Sequence, residues 1–142
     1  MGDAVTPRLS VIIPNWNGAP HLPGCLESLR AQTWRDFEII VVDNASTDAS
    51  LAVLAHYPEV RVLALERNRG FTGARNAGLA AARGAIVLLL NNDTEADPRW
   101  LAEIAAAFET HPEVGLLASK MLLFDRRDTF HTAGDFVTPD GL

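Results

Sequence analysis

Two acidic residues stand where apolar runs stop. Ile86-Val87-Leu88-Leu89-Leu90 passes directly into Asn91, Asn92 and Asp93, and Phe37-Glu38-Ile39-Ile40-Val41-Val42 empties into Asp43-Asn44-Ala45-Ser46-Thr47-Asp48. A carboxylate at the second position suits hydrogen bonds from a base or a ribose. One at the first suits a divalent cation that neutralises phosphates. Mg²⁺ and Mn²⁺ favour oxygen ligands, and beside a nucleotide they take few of these from protein and more from phosphate and water. Asp43 is placed for the nucleoside and Asp93 for the cation. In the competing reading these residues turn the chain and cap the following helices.

The elements that would position them alternate. Leu9 to Pro14 reads as a first strand stopped by its proline. Leu22, Cys25, Leu26 and Leu29 recur at helical spacing between His21 and Gln32. A second strand covers Phe37 to Val42, a helix runs through Leu51, Leu54 and Tyr57, and a third strand covers Val60 to Leu65. An alanine-rich helix is expected from Thr72 to Arg83 with Gly84 as its C-cap. The run from Ile86 reads as a strand buried on both faces. A helix entered through Pro98 passes Leu101, Ile104, Ala105 and Phe108, and Val114 to Met121 reads as a further strand that Leu122 to Phe124 could extend. The tail from Asp125 to Leu142 has no clear period.

Strands and helices alternating in this way predict an α/β fold: a mainly parallel sheet with helices on both faces. Right-handed crossovers then bring the strand-to-helix loops to one sheet edge. The polar stretches Pro14–Gly18, Asp43–Asp48, Arg67–Gly70 and Asn91–Asp97 should converge there, where open α/β sheets bind ligands.

The 142 residues carry 12 basic and 18 acidic side chains, a net charge of −6, which disfavours a nucleic-acid partner. Cys25 is the only cysteine, so no internal disulfide forms and a reducing compartment is expected. The N-terminus lacks a signal-peptide pattern and no apolar run reaches membrane-spanning length, from which a cytoplasmic protein is expected. After the first strand there is neither a Gly-x-Gly-x-x-Gly dinucleotide fingerprint nor a P-loop. Trp16, Trp34 and Trp100 read as packing residues, His21, His56 and His111 as surface or capping residues, and Cys25 as core.

Five segments together resemble family 2 glycosyltransferases: Val11-Ile12-Ile13-Pro14-Asn15-Trp16-Asn17, Ile40 to Asp48, Gly73-Ala74-Arg75-Asn76-Ala77-Gly78, Leu89-Leu90-Asn91-Asn92-Asp93, and Pro98-Arg99-Trp100-Leu101. The Asn-Asn-Asp form is similar to the bacterial rhamnosyltransferase-like branch, which decorates cell-surface polysaccharide. The resemblance spans Leu9 to Leu123 and implies the GT-A fold, a nucleotide-diphospho-sugar transferase-like, Rossmann-like three-layer sandwich. It implies transfer of a sugar from a UDP- or dTDP-linked donor to an acceptor hydroxyl, with Mg²⁺ or Mn²⁺ on the diphosphate. A glycan or lipid-linked acceptor follows, and with it peripheral association of the full-length protein with the inner face of a membrane.

Position by position, Pro14 and Asn17 would line the nucleoside pocket and Asp43 would bind base or ribose. Arg75 would sit near the diphosphate or the sugar, and Asp93 would match the last acid of the family's Asp-x-Asp motif and hold the metal. Asn91 stands where that motif's first acid usually stands; its amide would hydrogen-bond hydroxyls instead. The family's general base is a carboxylate well downstream. Asp125, Asp128, Asp135 and Asp140 lie in the unassigned tail and nothing singles one out, while His131 lies where the acceptor side would begin. The expectation is one donor-binding domain over residues 1–142 that stops before the acceptor half. The alternatives are a non-catalytic nucleotide-sugar-binding domain and a nucleotidyltransferase; the latter would show a glycine-rich basic loop in place of Pro14-Asn15-Trp16-Asn17-Gly18.

Overall fold

The computed structural model describes residues 6–132. They fall into two compact units divided after Glu103. In the first, four parallel strands form one sheet: β1 (Leu9–Asn15), β2 (Phe37–Asp43), β3 (Val60–Ala64) and β4 (Ile86–Leu89), in the spatial order β3-β2-β1-β4. Between them lie α1 (Leu22–Arg30), α2 (Ser50–Leu54) and α3 (Gly70–Ala81), and α4 (Trp100–Thr110) follows β4. In the second unit, β5 (Met121–Leu122) and β6 (Phe130–Thr132) pair antiparallel.

The strand order makes β1 the pivot. The chain first steps outward from β1 to β2 to β3, then crosses back over both to place β4 on the far side of β1. Right-handed connections therefore put α1 and α2 on one face and α3 on the other. Packing agrees, since α1 lies against α2 while α3 lies against β1 and β2. On the α3 face Ile12, Ile40 and Val42 pack with Ala74. By strand alternation Val11, Ile13, Ile39 and Val41 take the other face, all of them buried. Gly78 lets α3 approach closely: a Cβ there would run into Ile12 and come within 3.1 Å of Val42. The point between β1 and β4, where the connections reverse direction, is the topological switch at which such sheets bind ligands.

Pro14 does not end β1, as its type suggested. The strand runs on to Asn15, which pairs with Asp43. What ends near Pro14 is the pairing with β4. Ile12 O accepts from Leu90 N at 2.9 Å on the β4 side, and Asn15 O accepts from Asn44 N at 2.8 Å on the β2 side. By alternation, the N–H that proline lacks belongs to the β4 side. β1 and β4 thus part company at the switch point while β1 and β2 stay joined.

Three further expectations are corrected. β4 is not buried on both faces: among the described residues it lies at the sheet edge with only Leu88 buried, while Val87 and Leu89 are 38% and 43% exposed. Gly84 is not a C-cap. Helix α3 ends at Ala81 with Ala82 already extended, and Gly84 allows the chain to graze β1, since a Cβ would lie 2.7 Å from Leu9 C and Ser10 N. Val114 to Lys120 form no strand, and only Met121 and Leu122 of the expected run pair, with β6. No helix among the described residues is long and apolar enough to cross a membrane.

Candidate functional site

The loops at the carboxyl edge are tied to one another by side chains that project from the strand ends. Asn15 and Asp43 close β1 and β2 side by side, each 1% exposed. Asn15 Nδ2 donates to Asp43 Oδ1 at 3.0 Å and reaches Ser46 Oγ at 3.3 Å. The second carboxylate oxygen of Asp43 accepts from Ser46 N at 3.1 Å. Asn17, in a left-handed conformation at φ 51°, turns its Oδ1 back to accept from Thr47 N (2.8 Å) and Asp48 N (3.3 Å), while its own N donates to Ser46 Oγ. Asp48 joins the same pair of loops. One oxygen accepts from Ala19 N at 3.0 Å and the other from Ser50 N at 2.9 Å at the start of α2. The Ser50 contact, helped by Ala19, holds its carboxyl below the usual range.

A third loop joins through Asn44. Its Nδ2 donates to Asn68 Oδ1 (3.0 Å) and to Gly70 O (3.1 Å), and its Oδ1 accepts from Arg69 N (2.8 Å). Gly70, at φ 71°, opens α3 and carries the chain to Phe71 and Arg75 one turn apart on that helix. The Arg75 guanidinium lies 3.9 Å from the Phe71 ring centroid, so the cation is held by stacking. Its buried Nε has no hydrogen-bond partner among the described residues. A guanidinium fixed through one face retains N–H donors for a phosphate.

The fourth loop carries Asn91, Asn92 and Asp93. Asn92 Nδ2 donates to Asn15 Oδ1 at 2.7 Å, which closes the gap between β4 and β1. From behind, α1 and Gln32 just beyond its end hold the loop along one face. Cys25 Sγ donates to Asn91 O (3.7 Å), Ser28 Oγ accepts from Ala96 N (3.0 Å), and Gln32 Nε2 donates to Asp97 O (2.7 Å). Gln32 Oε1 also accepts from Leu101 N at the start of α4 (3.0 Å). Burial, and then the charge of Asp93, push the Cys25 thiol up to about 12. Asn91 and Asp93 themselves are exposed.

Of the residues picked from sequence, Pro14, Asn17, Asp43, Asn91 and Asp93 therefore sit on the carboxyl edge, and Arg75 lies in the first half of α3, which starts from that edge. Pro14 and Asp43 are buried, and Asn17 clamps two loops with its side chain. Trp16 is corrected: it is 58% exposed beyond the end of β1 and packs no core. Trp34 is half-buried and donates to Asp36 O, and Cys25 is core as expected. Asp125 and Asp128 are exposed in the second unit, His131 lies exposed on β6, and Asp135 and Asp140 fall outside the described residues.

Sequence picks out none of Asn15, Asn44, Ser46 and Gln32, and gives Asn92 no role beyond shaping the turn. The available signal was position, since Asn15 and Asp43 are the first polar residues after matched apolar runs. Among the described residues no three His, Cys, Asp or Glu side chains group as metal ligands. The exposed Asp93 carboxylate fits a cation that takes most of its ligands from phosphates and water, the arrangement typical of Mg²⁺ and Mn²⁺ beside a nucleotide.

Comparison with known proteins agrees with this architecture. Residues 10–137 match the family described as glycosyl transferase family 2. The succinoglycan biosynthesis protein ExoO of Rhizobium meliloti is 40% identical over 94 residues, 65% of this chain and 27% of ExoO. The structure of Staphylococcus aureus TarS 1-349 in complex with UDP superposes with a TM-score of 0.71 at 28% identity, covering 84% of this chain and 43% of TarS 1-349. The mannosyltransferase PcManGT of Pyrobaculum calidifontis, in complex with GDP-Man and Mn²⁺, gives 0.62 at 29% identity over 70% of this chain and 33% of its own. The chain thus spans less than half the length of each. It belongs to glycosyl transferase family 2 and shares the GT-A fold of these enzymes.

Proposed function

We propose that this chain forms the donor site of a hexosyltransferase that moves a sugar from a UDP- or dTDP-linked nucleotide diphosphate to an acceptor hydroxyl. The observation that carries this reading is the set of four loops hydrogen-bonded together where β1 and β4 part, with Asp43 at one end and Asp93 at the other. The likeness to the UDP-bound TarS structure supports a nucleotide-sugar donor, and the likeness to the succinoglycan biosynthesis protein ExoO supports a role in cell-surface polysaccharide synthesis; the Asn91-Asn92-Asp93 triplet is what favours the rhamnosyltransferase-like branch. Residues 1–142 act as one donor-binding domain, on the cytoplasmic side of a membrane that presents a glycan or lipid-linked acceptor.

Pro14 and Asn17 line the nucleoside pocket, and Asp43 keeps acceptor capacity for a ribose or base N–H or O–H beside its two loop contacts. Arg75 directs guanidinium donors at the diphosphate, where negative charge grows as the sugar leaves. Asn91 hydrogen-bonds hydroxyls. Asp93 would hold Mg²⁺ or Mn²⁺, which when bound supplies positive charge to the departing diphosphate. Deprotonating the acceptor needs a base; Asp125, Asp128, Asp135 and Asp140 are not assigned that role.

Calorimetry with UDP- and dTDP-sugars, with and without Mn²⁺, tests the reading. We expect donor binding that Mn²⁺ tightens by about tenfold or more, and loss of that metal dependence in Asp93→Ala. No nucleotide binding under either condition refutes the donor site, and an unchanged metal dependence in the variant removes Asp93 from the metal role. Binding without transfer would favour a non-catalytic nucleotide-sugar-binding domain.

A further inference from the structure

We infer that Asn15 and Asn92 are positioning residues that couple the nucleoside end of the donor site to its diphosphate end; this rests on the donor-site reading above. A carboxylate accepts hydrogen bonds and does not donate, so Asp43 compels Asn15 to turn its Nδ2 toward it, at 3.0 Å. The Asn15 amide is 1% exposed and points its Oδ1 the other way, where water cannot serve it. Asn92 Nδ2 serves it at 2.7 Å. The direction of the chain is thereby set: Asn92 donates to Asn15, which donates to Asp43. Neither amide can turn over without setting donor against donor or acceptor against acceptor.

The pairing is also close-packed. A Cβ on Gly18 would overlap both Asn92 Nδ2 and Asn15 Oδ1, so the glycine leaves room for that one hydrogen bond. Asn92 stands between Asn91 and Asp93, whereas Asn15 stands beside Asp43 and Ser46. If the β4 loop moves away, Asn15 Oδ1 loses its donor, and the amide that orients Asp43 loses the contact that fixes its direction. Phosphates or a cation that pin Asn91 and Asp93 therefore favour the arrangement of Asp43 that receives the nucleoside. By linkage, nucleoside binding favours the arrangement that receives the phosphates, to the same degree.

The test uses the full chain and two pairs of probes: UMP and dTMP without metal, and UDP and dTDP with Mn²⁺. Asn92→Asp keeps the size of the side chain but turns an acceptor toward Asn15 Oδ1. Gly18→Ala obstructs the hydrogen bond while keeping both asparagines. Each should weaken the monophosphate that binds the wild type by about five- to tenfold, the equivalent of one lost hydrogen bond. In an Asn15→Ala background, Asn92→Asp should have no further effect on that affinity, a non-additivity that loss of loop order alone does not produce. Unchanged monophosphate affinity in Asn92→Asp, beside weaker Mn²⁺–diphosphate binding, overturns the coupling and leaves the donor site standing. Fully additive effects overturn it too. A wild-type chain that binds none of the four probes overturns the donor site and this inference together.

Discussion

Replacing Gly78 by alanine sets two well-measured effects against each other. In an exposed helix interior the change should stabilise, because alanine exceeds glycine in helix propensity by about 1 kcal/mol. Here the added methyl would point into the α3–sheet interface. It would overlap Ile12 and come within 3.1 Å of Val42 Cγ2 and 3.4 Å of Ile12 Cδ1. Both side chains are fully buried on the two central strands, β1 and β2, which are themselves paired over seven residues. Neither can retreat, so the strain belongs near the top of the range for overpacking, about 2–3 kcal/mol. The net expectation is a loss of about 1–2 kcal/mol, read as a lower urea midpoint at unchanged slope. For a chain of this length that corresponds to a fall in Tm of roughly 4–8 °C. Asn76→Ala, exposed on the same helix, serves as the control and should be neutral or stabilising by about 0.5 kcal/mol. If Gly78→Ala stabilised the protein by the full propensity gain, α3 could not be seated on β1 and β2 as described. Arg75 lies one turn before Gly78, so the variant should also weaken donor binding by shifting that guanidinium.

Two further outcomes follow from the loops. Asp43→Asn places an amide N–H against either Asn15 Nδ2 or Ser46 N, both of which are donors; we expect a loss of about 1–3 kcal/mol in chemical denaturation, and a neutral result would mean that these two contacts do not form. Asp48 has its pKa lowered, first by the Ser50 contact and despite some desolvation, so its contribution to stability is present above its unfolded value of about 3.8 and is lost as pH falls through the folded value below that. Carboxyl NMR should find Asp48 titrating below 3.8, and Asp48→Asn should flatten the acid limb of the Tm-versus-pH curve; titration at or above 3.8 would contradict the Ala19 and Ser50 contacts.

The readable parts of the chain were those governed by local chemistry. Apolar runs ending in Asp43 and in Asn91 to Asp93 announced both the strands and the edge on which their loops meet, because alternation of strands and helices leaves few topologies open. Other features depended on partners distant in sequence. Pro14 looks like a strand terminator until β1 is known to have a neighbour on each side, at which point its missing N–H selects one of them. Ile86 to Leu90 reads as doubly buried on hydrophobicity alone, yet strand order puts β4 at an edge. Gly84 follows an alanine-rich helix just as a C-cap would, and only the closeness of Leu9 and Ser10 reveals its purpose. Asn15 has no evident role in the sequence, since an asparagine after a proline ordinarily signifies a turn. Its importance arises from Asp43, 28 residues on, and Asn92, 77 residues on.

The central position of β1 also has a consequence for the order in which the molecule can be made. Of the four strands of the sheet, β1 is made before the others, and it must end with a neighbour on both sides. β2 can join it as it emerges and β3 can then join β2, each after a short connection with its helix between. The opposite edge of β1, from Leu9 to Ile12, stays open until Ile86 to Leu89 arrive. That final pairing closes a loop far longer than the others, and parallel pairings at such separation form slowly. During this interval a row of unpaired backbone groups flanks some of the most apolar sequence in the chain, the type of edge that recruits other strands. β4 is therefore the strand that completes the ligand edge and also the one that covers the open flank of β1.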